Sequence, residues 1–197
     1  MNRRYFLVAA APAGASLATA APNATRNVIE LRYFHMRTNA DNQMQRSSEF
    51  LRASAAASKR SGATVLGFFG SIIADRSPFI LSLAAFPSLA ALETARSKES
   101  EDKDFKQASD ALNALPGLGY ERQESSLIRC FEGMPSVDLT TVANPGVSQG
   151  DALRAPRVFE LRMYESNNTS TLARKVNMFN TGEIAIFQRL GMRPVFR

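Results

Sequence analysis

The chain of 197 residues has no tryptophan, one cysteine (Cys130) and one histidine (His35). A single cysteine excludes an intrachain disulfide and a thiolate zinc site. A single histidine excludes His-rich metal centres and weakens any Ser-His-Asp proposal. No Lys/Arg cluster carries interleaved aromatics, so nucleic acid is not an expected partner. The net charge of +6 is mild, and removing the first twenty residues, which hold Arg3, Arg4 and no acid, leaves +4. Beyond those twenty residues no apolar run reaches the length of a membrane span, so no transmembrane segment is expected in the mature chain. What is abundant is apolar material: 45% of residues are hydrophobic, enough for a core in one or two domains.

Residues 2–7 read NRRYFL. A short apolar run follows from Val8 to Leu17, and Ala18-Thr19-Ala20 closes it as a small-x-small cleavage site. This is the layout of a signal peptide over residues 1–20, and the paired arginines make it a twin-arginine type. The expected location is periplasmic or secreted. Such export permits a cofactor without implying one, and none is expected.

One stretch occurs twice. Val28–Phe34 reads VIELRYF, and Val158–Tyr164 reads VFELRMY, with Val, Glu, Leu and Arg shared at four of seven positions. Each copy precedes a helical pattern that ends in glycine, at Gly62 and Gly191, 32 and 31 residues after the shared glutamate. Similar spacing around a shared strand indicates a duplicated supersecondary unit.

The first unit, 28–131, reads as β-α-β-β-α-β. Val28–Met36 alternates as a strand, with Val28, Glu30, Arg32 and Phe34 on one face and Ile29, Leu31, Tyr33 and His35 on the other. A helix follows over 40–60, capped by Thr38, Asn39 or Asp41. Strands follow over 64–74, with a bulge at Gly67 or Gly70, and over 79–86. Pro87 opens a helix to Lys98, and a second helical piece runs over 105–115. Residues 120–131 form the last strand. This α+β order is the ferredoxin-like plan. Residues 132–156, rich in Gly and Pro, read as a linker. Residues 157–197 read as a partial second unit, β-α-β: a strand over 157–165, a helix over 170–190 capped by Asn167, Asn168 or Thr169, and the start of a strand at 192–196.

Ile29-Glu30-Leu31-Arg32, Phe159-Glu160-Leu161-Arg162-Met163-Tyr164, Phe179-Asn180-x-Gly182-Glu183-Ile184-x-Ile186-Phe187 and Gly191-x-x-Pro194-Val195-Phe196 together make the chain resemble the NIPSNAP family. The resemblance spans nearly all of 28–197 and implies a dimeric α+β barrel, in which two ferredoxin-like sheets close face to face. It supplies no catalytic residues. Exported two-repeat members continue through a complete second domain, whereas the second repeat here is partial. The expected partners are therefore a second copy or intrachain pairing of the two repeats.

In the barrel plan the more apolar strand face packs helices. Glu30, Arg32, Phe34, Glu160, Arg162 and Tyr164 would then face the lumen as ligand-binding candidates for a small carboxylate or aromatic molecule. The competing and favoured reading is that each Glu–Arg pair satisfies itself across strands and specifies register. His35 reads as a surface or partly packed strand-end residue, with acid/base work as the lesser alternative, and Cys130 as a small core residue. The resulting expectation is an exported small-molecule-binding or protein-interaction module. Its enzyme rival, by fold analogy alone, is a small monooxygenase, cofactor-independent or haem-linked.

Overall fold

The computed structural model describes residues 26–38, 41–114, 116–137, 158–192 and 194–195. The chain divides into two compact units, with the boundary after Arg129. The expected signal peptide, residues 1–20, and most of the expected linker, 132–156, lie outside the described residues.

In the first unit the order is β1 (Val28–His35), α1 (Gln43–Arg60), β2 (Thr64–Gly70), β3 (Phe79–Phe86), α2 (Leu89–Glu101), α3 (Lys103–Ala114) and β4 (Arg122–Arg129). The strands form one antiparallel sheet in the order β2-β3-β1-β4. This is the ferredoxin-like α+β arrangement, with the first strand at the centre. β1 pairs β3 from Val28↔Phe86 to His35↔Phe79, and β4 from Val28↔Arg129 to His35↔Arg122.

β2 is shorter than its apolar pattern. The ladder shifts register between Val65 and Gly67 and stops at Gly70, and Ile72 and Ile73 are exposed. α2 starts two residues later than expected, because Ser88 takes the cap position and its hydroxyl accepts from the Ala91 N–H. Pro87 precedes the cap. α1 begins at Gln43 behind Asp41 and Asn42, both left-handed in φ, and no side chain caps it.

The face of α1 that is buried is largely polar: Gln43, Arg46, Ser47, Leu51, Ser54 and Ala57, at three- and four-residue spacing. Buried polar groups require partners, and these have them. Gln43 accepts from the Arg37 N–H at 2.8 Å and donates to Glu121 at 2.6 Å, tying the exit of β1 to the entry of β4. The Ser47 hydroxyl donates to the Gly119 carbonyl at 2.8 Å. The Arg46 guanidinium donates to the carbonyls of Leu112, Pro116 and Gly117 at 2.7, 3.0 and 3.3 Å. Those carbonyls lie at the end of α3 and just past it, where a helix leaves acceptors unmet and a cation is favoured. Gly117 has φ +77°, and a Cβ there would lie 2.4 Å from Asp41 Oδ2, so both conformation and space require glycine.

The apolar core between sheet and helices is built from Phe34, Met36, Leu51 and Ile80, with Phe50, Phe68 and Tyr120 against them. A second cluster joins Ala63, Ala84, Phe86 and Ala95. Phe34 and Phe86 are 1% and 0% exposed, and burying each contributes roughly 2–3 kcal/mol.

This placement reverses the expected faces of β1. Val28, Glu30, Arg32 and Phe34 lie on the helix-packed side. Ile29, Leu31, Tyr33 and His35 lie on the opposite side, beside Ala85, Leu83, Leu81 and Phe79 of β3. Both sides of β1 are buried, so alternation alone could not assign the helices to one of them.

In the second unit, α4 (Thr169–Met178) continues through a π-turn, Phe179–Glu183, into α5 (Ile184–Arg189). Asn168 and Thr171 form a reciprocal capping box at its start. The helix thus follows the expected span, with the π-turn inserting one wider turn. The repeated segment, 158–165, belongs to no strand, and neither do the described residues of 192–196. The β-α-β reading of the second repeat therefore reduces to its helix. A strand exists through its neighbours, and no ladder forms among the described residues here.

Candidate functional site

β1 sits between β3 and β4, which places Glu30 opposite Ala84 and Leu127. Neither neighbour offers a polar group, so the carboxylate must find partners along its own strand or across from the helices. It finds both. Arg32, two residues on, donates to Glu30 Oε1 at 2.9 Å, so the pair closes along its own strand and not across strands as expected. Arg96 of α2 bonds the other oxygen, Oε2. Arg96 also bonds Glu99 one turn later, and the Ser58 hydroxyl of α1 donates to Glu99. Glu30 and Glu99 are buried, at 6% and 4% exposure. The Arg96 guanidinium also lies 5.6 Å from the centre of the Phe86 ring.

The network is thus a chain from β1 through α2 to α1, with two carboxylates against two guanidiniums. Its charges cancel internally. The Nε atoms of Arg32 and Arg96 are buried without a hydrogen-bond partner. Arg32, Arg96 and Glu99, with Ser54, Ser58 and Ser82, line a cavity of about 20 Å³ closed by Phe34, Phe50 and Phe68 among others. That is room for about one water. Phe34 acts here as wall and core.

The second Glu–Arg pair has different surroundings. Arg162 grips Glu160 in a two-pronged fork, Nε to Oε1 and Nη2 to Oε2, both at 2.8 Å. The pair is exposed, with side chains at 51% and 69%. The bond from Arg162 holds the Glu160 carboxyl below the usual carboxylate range. Glu160, and then Tyr164, shift the arginine upward. The Tyr164 ring lies 5.5 Å from Phe179 and 5.1 Å from the Lys175 ammonium. The structure therefore places Glu30, Arg32 and Phe34 inside the first unit, and Glu160, Arg162 and Tyr164 on the surface of the second.

On the other side of the first sheet His35 is buried, not merely strand-end. Its Nε2 lies 3.0 Å from Glu124 Oε2 on β4, and Tyr33 and Phe79 pack on the ring. Arg76 and Arg122 bond the other Glu124 oxygen at 2.9 and 2.8 Å. Burial pushes the Glu124 carboxyl up, but His35, Arg122 and Arg76 outweigh it and hold it below the usual range. His35 Nδ1 is buried without a hydrogen-bond partner. Cys130 is buried, at 1% exposure, as expected of a small core residue. Among the described residues no group of three or more His, Cys, Asp or Glu is placed to hold a metal ion, and no helix is long and apolar enough to cross a membrane.

Sequence reasoning missed Arg46, Arg96 and Glu99. Arg96 and Glu99 carried one usable signal, their three-residue spacing on a helix whose other face is weakly apolar. Arg46 carried none, because its partners are backbone carbonyls.

No protein-family model matches the chain, and no curated protein does. Solved structures do resemble it. A NIPSNAP family protein of unknown function from Agrobacterium tumefaciens is 17% identical, over 53% of this chain and 88% of that one, with a TM-score of 0.43. An uncharacterised NIPSNAP-like domain protein from Burkholderia xenovorans is 14% identical over 53% and 84%, at 0.42. SnoaB, a cofactor-independent oxygenase from Streptomyces nogalater, is 17% identical over 52% and 91%, at 0.35. NIPSNAP family structures thus match about half of the chain.

Proposed function

We propose that the protein is an exported interaction module, not an enzyme. One observation carries this. The sharpest polar constellation in the first unit, Glu30–Arg32–Arg96–Glu99–Ser58, is closed on itself, and the cavity beside it holds about 20 Å³. A substrate site needs roughly 300 Å³ or more with polar groups converging on it. These charges instead fasten α2 to the sheet: only Ala95 and Glu99 of that helix are buried. Export rests on residues 2–20.

Native mass spectrometry of the protein purified from an exporting bacterial host tests the reading. The expected masses are whole multiples of the chain. A small molecule held at one per chain would overturn it. Export is tested by replacing Arg3 and Arg4 with lysine, which should retain the protein in the cytoplasm. Unchanged export would remove the twin-arginine route.

A further inference from the structure

The repeated segment Val158–Tyr164 exposes an unusual amount of apolar surface. Val158 and Met163 are 80% and 73% exposed, and Phe159, Leu161 and Tyr164 lie between 42% and 48%. Contiguous exposed apolar surface marks an interaction site. The same Val, Glu, Leu and Arg of Val28–Phe34 form the central strand of the first sheet, paired on both sides. This residue series therefore accepts strand geometry, and 158–165 is assigned to no strand.

The charges select the partner. A two-fold axis pairs a strand with its own copy antiparallel. With the axis at Leu161, residue 160 of one copy lies opposite residue 162 of the other. Glu160 then faces Arg162 twice, and each exposed in-strand pair becomes a cross-strand pair. Phe159, Leu161 and Met163 share the other face, with Phe159 opposite Met163 and Leu161 opposite itself. A parallel pairing in register would set glutamate on glutamate and arginine on arginine. The nearest antiparallel shifts lose the match at Glu160.

We propose that Val158–Tyr164 is a homodimerisation strand that pairs antiparallel with the same segment of a second copy, centred on Leu161. The proposal deepens the interaction reading. A bound small molecule would end that reading and leave the pairing intact. Failure of the experiment below would end the pairing alone.

The test uses the full chain and two surface variants, with far-UV circular dichroism to show that each is folded. Glu160→Arg makes the strand doubly positive, and Arg162→Glu makes it doubly negative. Like charges directly opposite destabilise a strand pair, so each variant alone should dimerise roughly tenfold or more weakly by analytical ultracentrifugation. Mixed together, they should form a heterodimer, because the doubly positive strand then faces the doubly negative one at both charged positions. In-strand pairing within one chain cannot produce that rescue. Leu161→Cys should also cross-link to itself on oxidation faster than Met163→Cys, since Cys130 is buried. A monomeric parent, variants that dimerise as well as the parent, or a mixture without heterodimers would each overturn the proposal. The last two are the results expected if this segment instead docks on the β2 or β4 edge of another copy.

Discussion

Val28–Phe34 and Val158–Tyr164 share four residues of seven and have opposite surroundings. Glu30 is 6% exposed and is held by two arginines, one of them from a helix. Glu160 has a side chain 69% exposed and is held by its own chain neighbour two residues on. The local Glu–Arg contact is common to both, at 2.9 and 2.8 Å. What differs is everything around it: two flanking strands and a charged helix in one case, solvent in the other. The motif sets a local salt bridge, and its surroundings decide whether that bridge contributes to stability. Exposed pairs contribute little, while a buried charge that loses a partner is costly.

The comparison can be broken most forcefully at Arg96, which exists for only one of the twins. Arg96→Ala leaves Glu30 and Glu99 buried with a partner missing, and urea unfolding should show a loss of about 2–4 kcal/mol. A loss under about 1 kcal/mol would mean that the network does not hold α2. Next is the seventh position, where the twins differ. Phe34→Tyr places a hydroxyl at a site 1% exposed and should cost about 2 kcal/mol. The reverse change, Tyr164→Phe, should stay within about 0.5 kcal/mol.

Third comes the shared arginine. Arg32→Ala should cost about 1–2 kcal/mol, because Arg96 still holds Glu30, and Arg162→Ala should cost about 0.5 kcal/mol or less. Equal losses in the two copies would erase the distinction between them. The smallest effect is in acid. Glu124, on the strand beside β1, and Glu160 both titrate below the ordinary value of 4.5. A depressed carboxylate stabilises above its unfolded value, and that contribution is lost as pH falls through the folded one. Glu124→Gln should therefore flatten the fall in unfolding midpoint below about pH 4.5. Glu160→Gln should leave that curve unmoved, because its carboxyl is exposed.

Much of the first unit was legible. Val28–His35 and Phe79–Phe86 announce themselves by alternation and by apolar continuity. The Ser and Ala spacing of α1 marks its buried side, and the order of elements follows. The orientation of β1 was not legible, because Val28 and Phe34 make one face nearly as apolar as Ile29, Leu31 and Tyr33 make the other. The deciding information lies 66 residues away, in Arg96. The end of β2 was hidden by Ile72 and Ile73, apolar residues that lie outside the ladder. The second copy of the motif forms no ladder among the described residues, and its residues make a strand only when neighbours exist to pair with it.

Arg46 has a kinetic consequence. Its guanidinium joins α1 to carbonyls 66 to 71 residues further along the chain. Those acceptors lie where α3 ends and the chain turns toward β4, so that end cannot fray without stripping a buried cation of its acceptors. Fraying is the cheapest motion of most helices, and here it is tied to the separation of α1 from α3. In hydrogen exchange, the last turn of α3 should close and open with α1 as one cooperative block, in place of the gradient of protection that a helix terminus ordinarily shows.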